Sequence, residues 1–286
     1  MASWVEVADG VLVLRHAPGA IDVTSTAVLG PTGVVVVDTL GTPAVASRAH
    51  ARLLARTGLP VVGIVHTHAH HDHTFGATSF ATPEHGRATT YAHHRFAEHL
   101  ERHEEAELAA GRAGDLALDD PTAWDDVTLV GPDVPVTGTT TIRPAGRELV
   151  LHPLPTAHTT CDLVVHVPDA ATWVVGDVVE ESAAPSFEVD SDPVGWAAVV
   201  TALAAQMEPR AVVVPGHGAC VDPGFVAAQG RELTALAAAL EDCRLRGVGA
   251  GPSIASLREA TGWHAGTLRA AARAFWSAAD GPVAPP

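Results

Sequence analysis

Five histidines and two aspartates, His68, His70, Asp72, His73, His158, Asp177 and His217, stand at positions that make chemical sense together as a two-metal site. Four of the seven fall in one run, His68-Ala69-His70-His71-Asp72-His73. Imidazole nitrogens and carboxylate oxygens suit Zn²⁺ and also Fe or Mn, whereas a set of thiolates would point to structural zinc. Two histidines one residue apart can grip one ion from one face of an extended loop. The Asp72-His73 pair behind them is then free to serve a second ion. Asp177 has two carboxylate oxygens and follows a separate apolar run, so it is the natural bridge. Metal coordination lowers the pKa of bound water toward ~7, which makes hydroxide available at neutral pH without a protein base.

Such a site needs elements that deliver distant residues to one place. The run Val34-Val35-Val36-Val37 reads as a buried strand ending at Asp38-Thr39, and a helix is expected over 42–57, closed by Gly58 and Pro60. Residues 61–65, Val-Val-Gly-Ile-Val, form the next strand, so the chain enters the histidine cluster from a strand's carboxyl end. The same grammar recurs: apolar runs at 149–154, 172–176 and 211–216 precede His158, Asp177 and His217. Each of these ligands is expected to leave a strand end on a short loop, where α/β sheets assemble sites. Residues 92–110 read as a helix, and 111–146 as a Gly/Pro/Asp-rich passage with a short strand candidate at Val127–Val130. Helices are expected at 222–246, 253–261 and 265–279, with 281–286 a frayed end. No repeat of solenoid period is present.

At 286 residues the chain can bury a sizeable core as one α/β domain with a helical appendage. Its three cysteines, Cys161, Cys220 and Cys243, are odd in number and lack a CxxC spacing, so they read as reduced thiols. No basic-then-apolar leader opens the chain, and no run reaches the ~18 apolar residues of a membrane span. A soluble, cytoplasmic protein is the expectation. The formal charge is −16, and every one of the 17 basic residues is arginine. An acidic surface disfavours nucleic acid, and the absence of lysine removes Schiff-base and phosphate-loop chemistry.

The motifs THAHHDH, AHTTCD, VVGDVVEE and VVPGHG, in that order over roughly residues 10–240, resemble the metal motifs of the metallo-β-lactamase fold superfamily, in its glyoxalase-II-like branch. The resemblance implies an α/β fold, an αβ/βα four-layer sandwich of two mixed β-sheets packed together with helices outside. Residues 1–240 would form the catalytic domain and 241–286 a helical C-terminal extension packed on it. It also implies that His68, His70 and His158 hold one metal and Asp72, His73 and His217 the other, bridged by Asp177. The implied cofactors are two Zn²⁺, with Fe or Mn as alternatives. A metal-bridging hydroxide would attack a carbonyl polarised by one ion, with Asp72 orienting it.

Familiar relatives can be argued down on the residues present. True β-lactamases of this fold lack an aspartate at the Asp177 place and often use a lysine, which this chain does not have. Glyoxalase II reads glutathione with basic and tyrosine residues near its C-terminal helices, where this chain offers Arg244, Arg246, Arg258, Arg269 and Arg273 but no tyrosine. Acyl-homoserine lactonases place a tyrosine beside the metals, whereas the single tyrosine here, Tyr91, is elsewhere. A small-molecule acyl substrate remains: a thioester first, because its thiolate leaves without protonation and no dedicated general acid is evident, then a lactone or ester. The rivals are a persulfide dioxygenase-like enzyme with one iron on His70, His158 and Asp177, and a metal-binding regulatory module without turnover. No membrane partner is expected, and a homo-oligomer is compatible with the sequence. His71 fits no ligand slot and reads as a loop residue. His85, His93, His94, His99 and His103 read as a solvated helix face, the alternative being a flap over the metals. Cys161 and Cys220 read as small buried packing residues.

Overall fold

Valine-rich central strands buried on both faces, with more exposed strands at the edges, build two sheets in the computed structural model, which describes residues 3–17, 22–80, 87–116, 118 and 120–279. His85 and residues 281–286 lie outside the described residues. The first sheet contains seven strands in chain order: β1 (Val5–Ala8), β2 (Val11–His16), β3 (Val23–Gly30), β4 (Gly33–Val37), β5 (Val61–Val65), β6 (Thr89–His93) and β7 (Val134–Val136). Pairing is antiparallel from β1 to β4 and parallel from β4 to β7. The second sheet is β12-β11-β10-β9-β8, from β8 (Thr140–Ile142), β9 (Leu149–Pro153), β10 (Leu163–Val167), β11 (Thr172–Glu180) and β12 (Val212–His217). Only β11 and β12 pair in parallel within it.

Side-chain alternation assigns each face. Val35 and Val37 of β4 pack between the sheets with Leu163, Val165 and Val214, while Val34 and Val36 face the other way toward Leu53 of helix α1 (Pro43–Thr57). On the second sheet Val164, Trp173 and Val213 turn outward to the remaining helices. These are α5 (Pro193–Ala204), α6 (Pro223–Leu245), α7 (Ala250–Thr261) and α8 (Ala265–Ala279). Two mixed sheets between helical layers therefore form the expected αβ/βα sandwich with a helical C-terminal region.

Helix starts follow local chemistry. Thr42 caps α1 by accepting from the Val45 N–H at 3.2 Å, with Pro43 at the first position and Gly58 at φ +67° closing it. Asp192 caps α5 by accepting from the N–H groups of Val194 and Gly195. The helix expected over 92–110 begins later. Ala92 and His93 belong to β6, paired with β7, and the helical chain follows as α2 (His71–Thr74) does its own strand: α3 (Phe96–His99), a π turn (Leu100–Glu104) and α4 (Glu105–Ala113). Val127–Val130 does not form a strand. The Arg112 guanidinium takes up the Val127 carbonyl, together with those of Trp124 and Asp125 just before it, in place of a ladder partner.

Candidate metal centre

All seven sequence-derived residues meet at one edge of the sandwich. His68, His70, Asp72 and His73 follow β5, and α2 carries the last two. His158 lies in the β9–β10 loop, and His217 ends β12. Asp177 departs from expectation, because it sits within β11 rather than on a loop behind it. The pairing with β12 is irregular on both sides of Gly176, whose φ of +54° re-aims the strand. A Cβ on Gly176 would lie 2.6 Å from Thr67 Oγ1, so strand and histidine loop meet only through glycine.

Two groups of donors face each other across Asp177. One donor atom each from His68, His70, His158 and Asp177 falls within 4.8 Å of the others, and so do those of Asp72, His73 and His217. His70 Nδ1 lies 3.1 Å from both His68 Nε2 and His158 Nε2. Asp177 Oδ1 is 3.2 Å from His73 Nε2, and its Oδ2 is 3.1 Å from His217 Nε2, 3.6 Å from His158 Nε2 and 3.7 Å from His68 Nε2. Asp72 Oδ2 approaches His73 Nε2 at 3.5 Å and His217 Nε2 at 3.4 Å. His73 Nε2 and Asp177 Oδ1 are buried without a hydrogen-bond partner, which a divalent ion between them would satisfy. The donor set of imidazoles and carboxylates fits zinc-class ions.

The outward nitrogens are already held. Asp38, at the end of β4 with φ +60°, accepts from His73 Nδ1 at 2.9 Å and from the Thr67 N–H and hydroxyl at 2.8 and 2.7 Å. The Thr67 hydroxyl oxygen in turn accepts from His68 Nδ1 at 3.0 Å. His158 Nδ1 donates to the Ser186 carbonyl at 3.0 Å, and His217 Nδ1 to the Asp22 carbonyl. Each of these bonds fixes a tautomer with Nε2 aimed inward, as metal ligation requires. Asp38 was invisible as a site residue in sequence; its position at a strand end before Thr39 was the available signal.

Charge balance within the cluster is strong. Burial and the neighbouring His158 hold His70 down to about 3, and burial lowers His68 well below the usual imidazole value. Burial opposes charge on His73 and His217, but the surrounding carboxylates, Asp177 foremost, outweigh it, raising His73 well above its ordinary value and His217 to about 10. Asp177 resists burial and is held well below the carboxylate range by His73, His217 and His68. Protons on His73 and His217 thus occupy positions that cations would take.

The centre opens into a cavity of about 880 Å³, whose lining includes Asp72, Glu180, Phe187, Asp190 and Arg273. Glu180 is a second residue that sequence reasoning missed. An odd spacing from Asp177 would put it on the opposite face of a regular strand, yet the irregular pairing brings both to one cavity. Burial, then Asp177, raises its pKa well above the usual range. Of the five C-terminal arginines, Arg273 on α8 is the one among the lining residues.

The other histidines correct the expectation of a solvated face. His93 and His99 are buried, His94 is exposed, and His99 and His103 line the cavity. The cause is that β6 and α3 turn inward, with Phe96 stacked on His66. His71 points away from the centre toward Glu107 and Trp124. Cys161 is buried against Phe96 and Leu100 as expected, whereas Cys220 is exposed.

The metallo-beta-lactamase superfamily model matches residues 18–217, and the chain belongs to that superfamily. No curated protein is significantly similar to it in sequence. Among solved structures, the stereoselective inverting sec-alkylsulfatase of a Pseudomonas species is similar at a TM-score of 0.76 and 19% identity, over 98% of this chain and 51% of that one. This chain therefore spans about half the length of that enzyme. A beta-lactamase domain protein from Burkholderia ambifaria matches at a TM-score of 0.70 and 17% identity, over 96% of this chain and 87% of the other. A metallo-beta-lactamase from Pontibacter korlensis matches at 0.64 and 18% identity, over 80% of this chain and 99% of the other. At these identities the likeness is one of fold. Among the described residues no helix is long and apolar enough to cross a membrane.

Proposed function

We propose that this protein is a dinuclear zinc hydrolase of a small ester-like compound, an acyl thioester first and a lactone or oxygen ester second. The observation that carries this reading is the split donor set around Asp177, with Asp177 Oδ1 and His73 Nε2 buried and unpartnered between the two groups. His68, His70 and His158 would hold one ion, Asp72, His73 and His217 the other, and Asp177 both. Bound zinc supplies Lewis acidity and an activated water. The protein's own contribution is orientation and proton control. Asp72, partly open to the cavity, can accept a hydrogen bond from the attacking water through the oxygen not facing His73. Phe187 and the 182–190 loop wall the cavity and exclude bulk water from one side.

Glu180 supplies what the sequence lacked, a buried carboxyl able to deliver a proton to a departing oxygen. A thioester needs no such donor and stays first, but oxygen leaving groups come within reach. The alkylsulfatase likeness over nearly the whole chain favours one second reading, hydrolysis of a sulfate ester.

Metal analysis beside a panel of acyl thioesters, lactones, oxygen esters and alkyl sulfates tests the proposal. Two zincs with thioester turnover are expected, and His68→Ala and Asp177→Ala should fold yet lose metal and most activity. Unchanged activity in both variants would sink the site assignment. Turnover of lactones or alkyl sulfates without any thioester would reverse the substrate ranking, and one iron with oxygen uptake would replace the hydrolase reading by a dioxygenase.

A further inference from the structure

A second histidine-carboxylate cluster stands beside the centre and touches it at one point, where donor atoms of His99 and Glu104 come within 4.8 Å of one on His70. His99 is 2% exposed, and neither of its ring nitrogens makes an aligned hydrogen bond. Its Nδ1 lies 3.3 Å from Asp190 Oδ2, and its Nε2 lies 3.6 Å from Glu104 Oε1. Both separations exceed the 2.7–3.2 Å of N–H···O bonds. His103 follows His99 in an H-x-x-x-H spacing, its ring centroid 4.6 Å from that of His99. The π turn at Leu100–Glu104 joins them, and such wide turns bring residues four apart onto nearly one face. One donor atom each from His99, His103 and Asp190 lies within 4.8 Å of the others.

We propose that His99, His103 and Asp190 form a third cation site, distinct from the dinuclear pair, for a divalent ion of the zinc class. Zn–N and Zn–O bonds of about 2.0–2.2 Å at a tetrahedral ion place two donors about 3.4 Å apart, which the Nδ1–Oδ2 separation matches. Glu104 completes the arrangement from behind. Its carboxylate lies 3.6 Å from His99 Nε2, beyond hydrogen-bond length, and its negative charge favours a proton on that nitrogen, which leaves the Nδ1 lone pair for the ion. Two imidazoles and one carboxylate leave a fourth position toward the cavity, which His103 and Asp190 both line.

The location gives the site a role. Asp190 belongs to the loop after β11 whose Ser186 carbonyl holds His158 Nδ1, while His99 sits at the end of α3 with its ring 5.5 Å from that of His70. An ion there clamps the cavity wall to α3. His103 and Asp190 are only half-buried, so this ion exchanges more readily than those beneath it.

The test is zinc binding by equilibrium dialysis of the full-length protein, with bound zinc counted by mass spectrometry. Wild type should bind one more equivalent than His103→Ala and than Asp190→Asn, both keeping native far-ultraviolet circular dichroism. Asp190→Asn preserves side-chain shape, which keeps the test sound should His103→Ala fold poorly. The comparison counts a difference, so it holds whatever number of ions the first centre takes. Equal zinc content in wild type and both variants would leave His99 as an imidazolium between two carboxylates and overturn the proposal. Loss of every ion from well-folded variants would overturn it too, by making the cluster part of the first centre.

Discussion

The orientation of the candidate ligands depends on residues outside the donor set. Asp38 gathers the His73 imidazole and the Thr67 backbone and hydroxyl on one carboxylate, and Thr67 passes that order on to His68. One side chain thus orients a donor in each half of the centre. Asp38→Asn keeps the shape but puts an amide N–H₂ against at least one of those three donors. We expect the variant to fold and to bind zinc ~10–100-fold more weakly, the usual cost of removing an outer-shell carboxylate. Zinc titration against a competing chelator measures it, and unchanged affinity would show that His73 needs no such support. The seven inward residues were legible in sequence because ligand chemistry is carried by residue type and short spacing. Asp38 was not, because its hydrogen bond to His73 spans 35 residues and arises from the parallel pairing of β4 and β5.

At the scale of elements, glycines decide how closely strands bring their cargo. Gly216 precedes His217 on β12, and a Cβ there would lie 1.8 Å from Asp177 Oδ1. Gly216→Ala must therefore displace either the Asp177 carboxylate or the strand. The expected result is loss of bound zinc together with a stability cost of about 1–3 kcal/mol, the range for overpacking a buried site. Chemical unfolding with metal analysis checks both, and full zinc content in the variant would contradict the close approach. Strands β4, β5, β9, β11 and β12 were readable from their apolar runs, but Val127–Val130 shows the limit. Its short Val-Thr-Leu-Val pattern suits a strand, and only the folded chain places Arg112 where it takes up the Val127 carbonyl.

At the scale of the molecule, burial of histidines links stability to pH. Packing within the fold pushes His66 and His93 down to about 4. His93 Nδ1 accepts from the Arg95 N–H at 3.1 Å, which the neutral ring alone can do. An unfolded imidazole protonates near 6.5. Between about 4 and 6.5 these two residues therefore bind more protons in the unfolded chain than in the folded one, so their contribution to stability is complete above that window and falls as pH drops through it. Denaturant midpoints at pH 7 and 5 should fall for wild type and fall less for His93→Asn, whose amide oxygen can replace the Nδ1 acceptor. An identical loss in the variant would remove His93 as a cause. The expectation that His93 faced solvent came from a Glu-rich local sequence, and tertiary packing of β6 and α3 overrode it.

The sandwich was implied by the resemblance that the four motifs carry; what the sequence determined by itself was seven candidate ligands, five histidines and two aspartates, at those motifs, each behind an apolar run that forms a strand. Those features are local, set by residue identity and spacing, and survive without knowledge of contacts. Tertiary structure alone decided that Asp177 sits inside a strand at an irregular pairing, that Glu180 shares its cavity, and that His99, His103, Glu104 and Asp190 gather beside His70. Each of these depends on strand register or on segments far apart in the chain, and burial that depends on such contacts leaves no periodic trace in the sequence.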